Sequence, residues 1–271
     1  MLSLKPNPSP EAGDFGFFGG GLSQKKRKEY PMNNVNKTLY IPLSGKALVS
    51  EKGIILNDPK AEEIWKAEGF AIGGKSESKW LAYYMGMRSA VFDDYLKEKL
   101  TQYPSRVVLH PGCGMDSRIL RVGCGGHLWY DLDFPEVISE RRKYFSETEN
   151  YRMISSDATD TRWLKEIPPE TGALVVMEGI SMYLAPEKLN RLLGELTAHF
   201  GEVCLLMDCY TALAAKISKY KNPVNEVGVS ELYGIDDPSY PVRDTGLKFV
   251  REHSLTPEGL INCLTGFERL F

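Results

Sequence analysis

Arg106-Val107-Val108-Leu109-His110-Pro111-Gly112-Cys113-Gly114-Met115-Asp116-Ser117-Arg118 is a short apolar run that breaks into a Gly-x-Gly turn and opens a helix. Glycines let the backbone turn tightly and approach a ligand with no Cβ in the way, and a helix start presents free N–H groups to it. In nucleotide-type sites an acid about twenty positions further on accepts from ribose hydroxyls. Asp131 and Asp133, which close Gly126-His127-Leu128-Trp129-Tyr130-Asp131-Leu132-Asp133, stand in that place. By itself the motif serves nicotinamide, flavin and S-adenosylmethionine sites alike.

Outward from this stretch, apolar strand patterns recur at Val107–His110, His127–Asp131, Tyr151–Ser155, Ala173–Met177 and Val203–Asp208. Helical patterns fall between them, near Asp116–Arg121, Pro135–Phe145, Thr161–Glu166 and Pro186–Phe200. Such alternation predicts an α/β fold: a doubly wound, mostly parallel sheet flanked by helices. Ligands of such sheets bind beyond the carboxyl ends of the strands. Gly112, Asp133, Asp157 and Glu178 lie at or just past four successive strand ends, so a right-handed winding brings them to one edge. Upstream, Asp58-Pro59 reads as N-cap and first-turn proline of a helix that stops at Gly69. Lys79 to Leu100 repeats apolar residues at helical spacing and should cover one face of the sheet.

The 271 residues suit one large domain preceded by an extension. Residues 1–31 contain Pro6, Pro8 and Pro10, the run Phe15-Gly16-Phe17-Phe18-Gly19-Gly20-Gly21 and the tetrad Lys25-Lys26-Arg27-Lys28. Their composition reads as a disordered leader or a non-native extension. A formal net charge of -3 excludes a global nucleic-acid footprint. The five cysteines are scattered and hold no Cys-x-x-Cys, so neither a disulfide framework nor a zinc site is expected. With no apolar run of membrane-spanning length and no signal-peptide pattern, no membrane partner and a cytoplasmic setting are expected.

With these residues assembled, the chain resembles the leucine carboxyl methyltransferase family, including its bacterial branch of polyketide-type O-methyltransferases, from about Thr38 to Phe271. The landmarks are Leu39-Tyr40-Ile41-Pro42-Leu43-Ser44-Gly45-Lys46-Ala47, Asp58-Pro59-Lys60-Ala61-Glu62, Arg88, Val107 to Arg118, Trp129 to Ile138, Ser156-Asp157-Ala158, and Met177-Glu178-Gly179-Ile180-Ser181-Met182-Tyr183-Leu184. The resemblance implies a class I Rossmann-like fold with residues 32–271 as one methyltransferase domain. Residues 32–104 form its helical N-terminal cap and 105–271 its core.

It also implies S-adenosyl-L-methionine as cofactor, with no metal. Arg88 would hold the methionine carboxylate, and Lys46 falls where relatives often carry arginine. Gly112 and Gly114 would admit the backbone to the cofactor, while Asp133 would accept from the ribose, Asp131 either assisting or simply ending its strand. Asp157 and the N–H of Ala158 would read the adenine, and Glu178 would sit near the sulfonium or amino group. Tyr183 is a candidate for the acceptor pocket.

His110-Pro111 departs from the family pattern, and His110 reads as a packed or pocket-lining residue. Leu247 to Ser254 is expected as a sixth strand and Pro257 to Leu264 as a helix; where relatives continue into a last antiparallel strand this chain stops at Phe271, so that strand is expected to be missing. The expected activity is O-methylation of a carboxylate, or of a phenol, on a small molecule or peptide. A carboxylate is ionised at neutral pH and needs no general base, and no His–Asp or His–Glu pairing in the sequence advertises one. The rival readings are an NAD-dependent oxidoreductase and a non-catalytic S-adenosylmethionine-binding protein. Against the first, Ser117 occupies the third glycine position and no Tyr-x-x-x-Lys relay follows Asp133.

Overall fold

Successive residues of a strand face opposite sides of its sheet, and the strands of this chain are apolar on both. The computed structural model describes residues 2–3, 34–69, 78–103, 106–169, 172–221 and 231–270. Its strands are β1 (Leu2–Ser3), β2 (Val107–Pro111), β3 (Trp129–Asp133), β4 (Tyr151–Ser155), β5 (Ala173–Met177) and β6 (Val203–Cys209). Its α-helices are α1 (Asn34–Glu51), α2 (Pro59–Glu68), α3 (Lys79–Gln102), α4 (Arg118–Val122), α5 (Pro135–Arg141), α6 (Pro186–Phe200), α7 (Ala212–Lys221) and α8 (Glu258–Ile261). The sheet order is β1-β6-β5-β2-β3-β4, and every pairing is parallel. From β2 the chain steps outward to β3 and β4, then returns to β5 on the other side of β2. The order therefore reverses between β2 and β5, where open α/β sheets form their ligand crevice.

Two cores follow from the alternation. Val108, Trp129, Leu174, Val176 and Leu206 face Leu43, Ile64, Phe92 and Leu96 of the helical cap. Their neighbours Val107, Leu109, Val175, Met177 and Met207 face Leu189, Leu192, Leu193 and Leu196 of α6. Helices α1 and α3 approach closely at two glycines: a Cβ on Gly45 would lie 2.9 Å from Met85 Cβ, and one on Gly86 would lie 2.8 Å from Val49. Helix α2 begins and ends as its sequence predicts. Asp58 accepts from the Ala61 N–H at 2.9 Å and Gly69 closes the helix at φ 62°. No helix among the described residues is long and apolar enough to cross a membrane.

Arg141 ties α5 under the glycine turn. Fully buried, it donates to Asp131 and, at 3.0 Å, to the Gly114 carbonyl, and its guanidinium lies 4.0 Å from the Phe145 ring centre. Trp129 Nε1 and the Tyr151 hydroxyl also donate to Asp131, at 2.9 and 2.6 Å.

Several elements differ from expectation. Residues 247–254 form no strand; Leu247 packs into the second core, Phe249 and Val250 are exposed, and His253 meets Tyr95 edge-on over α3. The sheet edge at Asp208–Cys209 is paired instead by Leu2–Ser3. The helix expected over Pro257–Leu264 is the single turn Glu258–Ile261, after which Leu264 packs beside Val49, Tyr83 and Met87. Thr161–Glu166 is a 3-10 helix, α4 starts at Arg118, α5 ends at Arg141, and β3 lies two residues later than predicted. The rest of the expected leader and most of the Gly73–Ser78 loop lie outside the described residues.

Burial pushes the Asp131 carboxyl upward, but Arg141, His110 and Tyr151 hold it at about 2, below its ordinary 3.8. A depressed carboxylate contributes stability that is present above the unfolded value and lost as pH falls. Urea unfolding of the wild type should therefore lose about 2 kcal/mol between pH ~4 and pH ~2 from this group. Arg141→Met, which strands the buried carboxylate, should cost about 3–5 kcal/mol at neutral pH.

Candidate functional site

The carboxyl ends of β2, β3, β4 and β5 open onto one cavity of about 700 Å³. Lys46 from α1, Arg88 from α3, Gly112 and Gly114 after β2, Asp133 ending β3, Asp157 and Ala158 after β4, and Glu178 and Tyr183 after β5 all line it. The sheet thus brings together every candidate read from the sequence except Asp131, which lies in the interior and serves Arg141.

The glycine turn is shaped for close approach. Gly112 and Gly114 have φ of 70° and 51°, a region that other residues enter only with strain. A Cβ on Gly112 would stand 2.7 Å from Ile180 Cδ1. Asp133 reaches across from the next strand: its Oδ2 accepts from the Gly114 N–H and its Oδ1 from the Phe134 N–H, both at 2.8 Å. Each oxygen keeps a further lone pair for a ligand donor. Burial pushes the Asp133 carboxyl upward, against these two bonds. Asp157 Oδ1 accepts from the N–H and hydroxyl of Thr159, at 2.8 and 2.9 Å, so it caps its own turn while lining the cavity.

At the opposite wall the charges are buried and paired. Arg88 Nε donates to Glu178 at 2.9 Å and its Nη1 to Asp208 at 3.3 Å. Glu178 also accepts from Arg118 and from Ser89 Oγ at 3.1 Å. Burial pushes the Glu178 carboxyl upward, and the two guanidiniums overcome this and hold it well below the carboxylate range. Lys46 pairs with Asp116 at 3.2 Å. Asp116 is also pushed upward by burial and drawn far down by Arg118, Arg121 and Lys46.

His110 lines the cavity as well, and it corrects the expectation that no His–Asp pair exists. Its Nδ1 stands 3.2 Å from Asp131 Oδ1 and its Nε2 3.1 Å from Arg118 Nη1. A guanidinium can only donate, so Nε2 faces a donor and Nδ1 faces the Asp131 carboxylate, and neither ring nitrogen is free for a substrate proton. Burial holds the Tyr183 hydroxyl in its protonated form, well above the ordinary phenol range.

Sequence reading missed Ser89, Asp93, Asp116, Arg118, Arg121 and Asp208, which complete the charged wall. Two signals were available. Ser89 and Asp93 share a helix face with Leu96, an unusual place for a carboxylate, and Asp208 follows β6's apolar residues as Glu178 follows those of β5.

The family model described as leucine carboxyl methyltransferase matches residues 37–197. The chain is 28% identical over 227 residues to the tetracenomycin polyketide synthesis O-methyltransferase TcmP of Streptomyces glaucescens, covering 83% of this chain and 84% of that one. It is 27% identical over 266 residues to the S-adenosyl-L-methionine-dependent methyltransferase dpfgK of Gibberella zeae, covering 87% and 89%. Among solved structures it is similar to magnesium protoporphyrin IX methyltransferase (ChlM) from Synechocystis PCC 6803 with bound SAH, at 13% identity and a TM-score of 0.45, covering 76% of this chain and 91% of that one. The chain belongs to the leucine carboxyl methyltransferase family of S-adenosylmethionine-dependent methyltransferases.

Gly112→Ala forces a side chain into positive φ and against Ile180. It should lower stability in urea by about 1–3 kcal/mol and weaken S-adenosylmethionine binding, while Gly53→Ala, whose Cβ meets nothing, should leave binding unchanged.

Proposed function

We propose that the cavity at the four strand ends binds S-adenosylmethionine and that the chain methylates the carboxylate of a small molecule or peptide. The observation that carries this reading is the pairing of a close-approach glycine turn with a buried carboxylate–guanidinium wall across one cavity. Gly112 and Gly114 would let the backbone approach the amino-acid moiety, and Asp133, with lone pairs left over, would accept from the ribose. Asp157 and the Ala158 N–H would meet the adenine. Arg88 and Lys46 would face the methionine carboxylate, and Glu178 the positive charge of the amino group or sulfonium.

When bound, S-adenosylmethionine supplies an electrophilic methyl group on a positively charged sulfur. The chain's own contribution is to hold ligand and acceptor aligned and dry: transfer is an in-line displacement that gains from orientation and from excluding water. The wall next to Arg88 offers no free base, because His110 is committed at both nitrogens and Tyr183 is held protonated. A carboxylate acceptor suits that wall, since it arrives ionised. Tyr183 would donate to it. A phenol is the alternative acceptor, and its rate would depend on deprotonation.

Calorimetric titration tests the cofactor: S-adenosylmethionine should bind and NAD should not, and the reverse result would overturn the reading. Arg88→Met and Glu178→Gln should each weaken S-adenosylmethionine binding by about 1–3 kcal/mol. With a methylated acceptor in hand, a rate that stays flat between pH ~6 and pH ~9 supports a carboxylate, whereas one that climbs with pH identifies a phenol.

A further inference from the structure

The sheet order divides the cavity into two halves of different chemistry. The ends of β3 and β4 bring Asp133 and Asp157 to one side of the switch point, and the ends of β5 and β6 bring Met182, Tyr183 and Tyr210 to the other. The β3–β4 half offers carboxylates and backbone N–H groups. The β5–β6 half is built of rings and apolar side chains, completed by Met85 of α3 and by Tyr233.

Tyr233 reaches this half because residues 231–235 are fastened across the ends of β5 and β6. The Tyr233 N–H donates to the Met182 carbonyl at 2.9 Å, and the Ile235 N–H donates to the Tyr210 carbonyl at 2.7 Å. Between them Leu232 is buried with Met182 and Ala215. The segment passes the start of α7 so closely that a Cβ on Gly234 would lie 2.4 Å from the Thr211 carbonyl oxygen and 2.5 Å from the Ala212 nitrogen. Only glycine permits that approach. The route of the chain here is therefore fixed, and it sets Tyr233 against the cavity.

The polar atoms of the β5–β6 half are unevenly committed. The Tyr233 hydroxyl donates to Glu231 at 2.9 Å, which leaves its ring as the surface offered to a ligand. The Tyr183 and Tyr210 hydroxyls have no hydrogen-bond partner among the described residues. Tyrosine hydroxyls that are removed from water ordinarily have one, so these two are open to an occupant. The N–H groups of Tyr233 and Ile235 are already spent on Met182 and Tyr210. An extended peptide brings a donor and an acceptor at every residue, and grooves that bind one satisfy them with main-chain groups of their own. A flat apolar body needs only rings and thioethers to lie against.

Resting on the methyl-transfer reading above, we infer that the β5–β6 half is the acceptor site, that its occupant is a flat, largely apolar acid and not an extended peptide, and that Tyr210 and Tyr233 select it. The acceptor's body lies against the Tyr233 ring and Met85, and its carboxylate accepts from the Tyr183 and Tyr210 hydroxyls. A carboxylate oxygen then bonds to the methyl carbon while the carbon–sulfur electron pair stays on sulfur, and no proton leaves the acceptor.

The test is a fluorescence titration of the full chain, saturated with S-adenosylhomocysteine, using anthracene-2-carboxylate as probe and a leucine-terminated tripeptide with a free carboxylate as competitor. Anthracene-2-carboxylate should bind at least about tenfold more tightly than the peptide. Tyr210→Ala and Tyr233→Ala should each weaken it by about tenfold. Tyr233→Phe should restore wild-type affinity, because the hydroxyl it removes faces Glu231, whereas Tyr210→Phe should still lose about fivefold through its missing donor. All four variants should bind S-adenosylhomocysteine within about twofold of wild type, which separates loss of the acceptor site from loss of the fold. A peptide that binds as tightly as anthracene-2-carboxylate, binding of neither probe to the loaded protein, or folded alanine variants that bind anthracene-2-carboxylate like wild type would each overturn the inference and leave the cofactor reading intact. Failure of S-adenosylhomocysteine itself to bind would instead remove the cofactor reading and the inference with it.

Discussion

The buried contact of Arg118 with Glu178 holds the ligand side of this molecule together. Arg118 is the first residue of α4, directly after the glycine turn, and from there it reaches Asp93 on α3, His110 on β2, Asp116 in the turn and Glu178 beyond β5. Four pieces of chain that are far apart in sequence are thereby referred to one guanidinium. Burying that charge costs several kcal/mol before its partners are counted, and losing any one partner leaves the others exposed to that penalty. The network is therefore weak evidence for stability and stronger evidence that a fixed arrangement of charge is needed at this wall.

The two sides of the cavity divide the work by chemistry. On the glycine side, backbone N–H groups and Asp133 present hydrogen-bonding atoms with little net charge. On the cap side, α1 and α3 pack closely through Gly45 and Gly86 and deliver Lys46 and Arg88 to the strand ends. Methyl transfer destroys a positive charge, so a wall whose field is set in advance would act on a ligand bound beside it without reorganising during the reaction. The helical cap is as much a part of the site as the Rossmann-like core.

Much of this was legible in the sequence. β4, β5, α3 and α6 were readable because Ala173–Met177 is an unbroken apolar run of strand length and Pro186–Phe200 repeats its leucines at helical spacing, and Asp58-Pro59 with Gly69 marks both ends of α2 through local cap chemistry. The strand-end rule brought Gly112, Asp133, Asp157 and Glu178 to one cavity, and the family resemblance added Lys46, Arg88, Gly114, Ala158 and Tyr183. Long-range pairing was not legible: nothing near Asp93 in the chain announces Arg118 or Arg121, and the His110–Asp131 contact spans two parallel strands. Residues 247–254 misled because a mixed apolar stretch was read as a strand, although its exposed Phe249 and Val250 show no alternation toward a core.

Hydrogen–deuterium exchange with and without saturating S-adenosylmethionine tests the placement of the site most directly. The account predicts slowed exchange in the four strand-end segments together, residues 109–116, 132–134, 156–159 and 177–180, with little change at the far ends of the same strands. Binding that leaves those four segments unprotected, or protection produced by NAD instead, would contradict it.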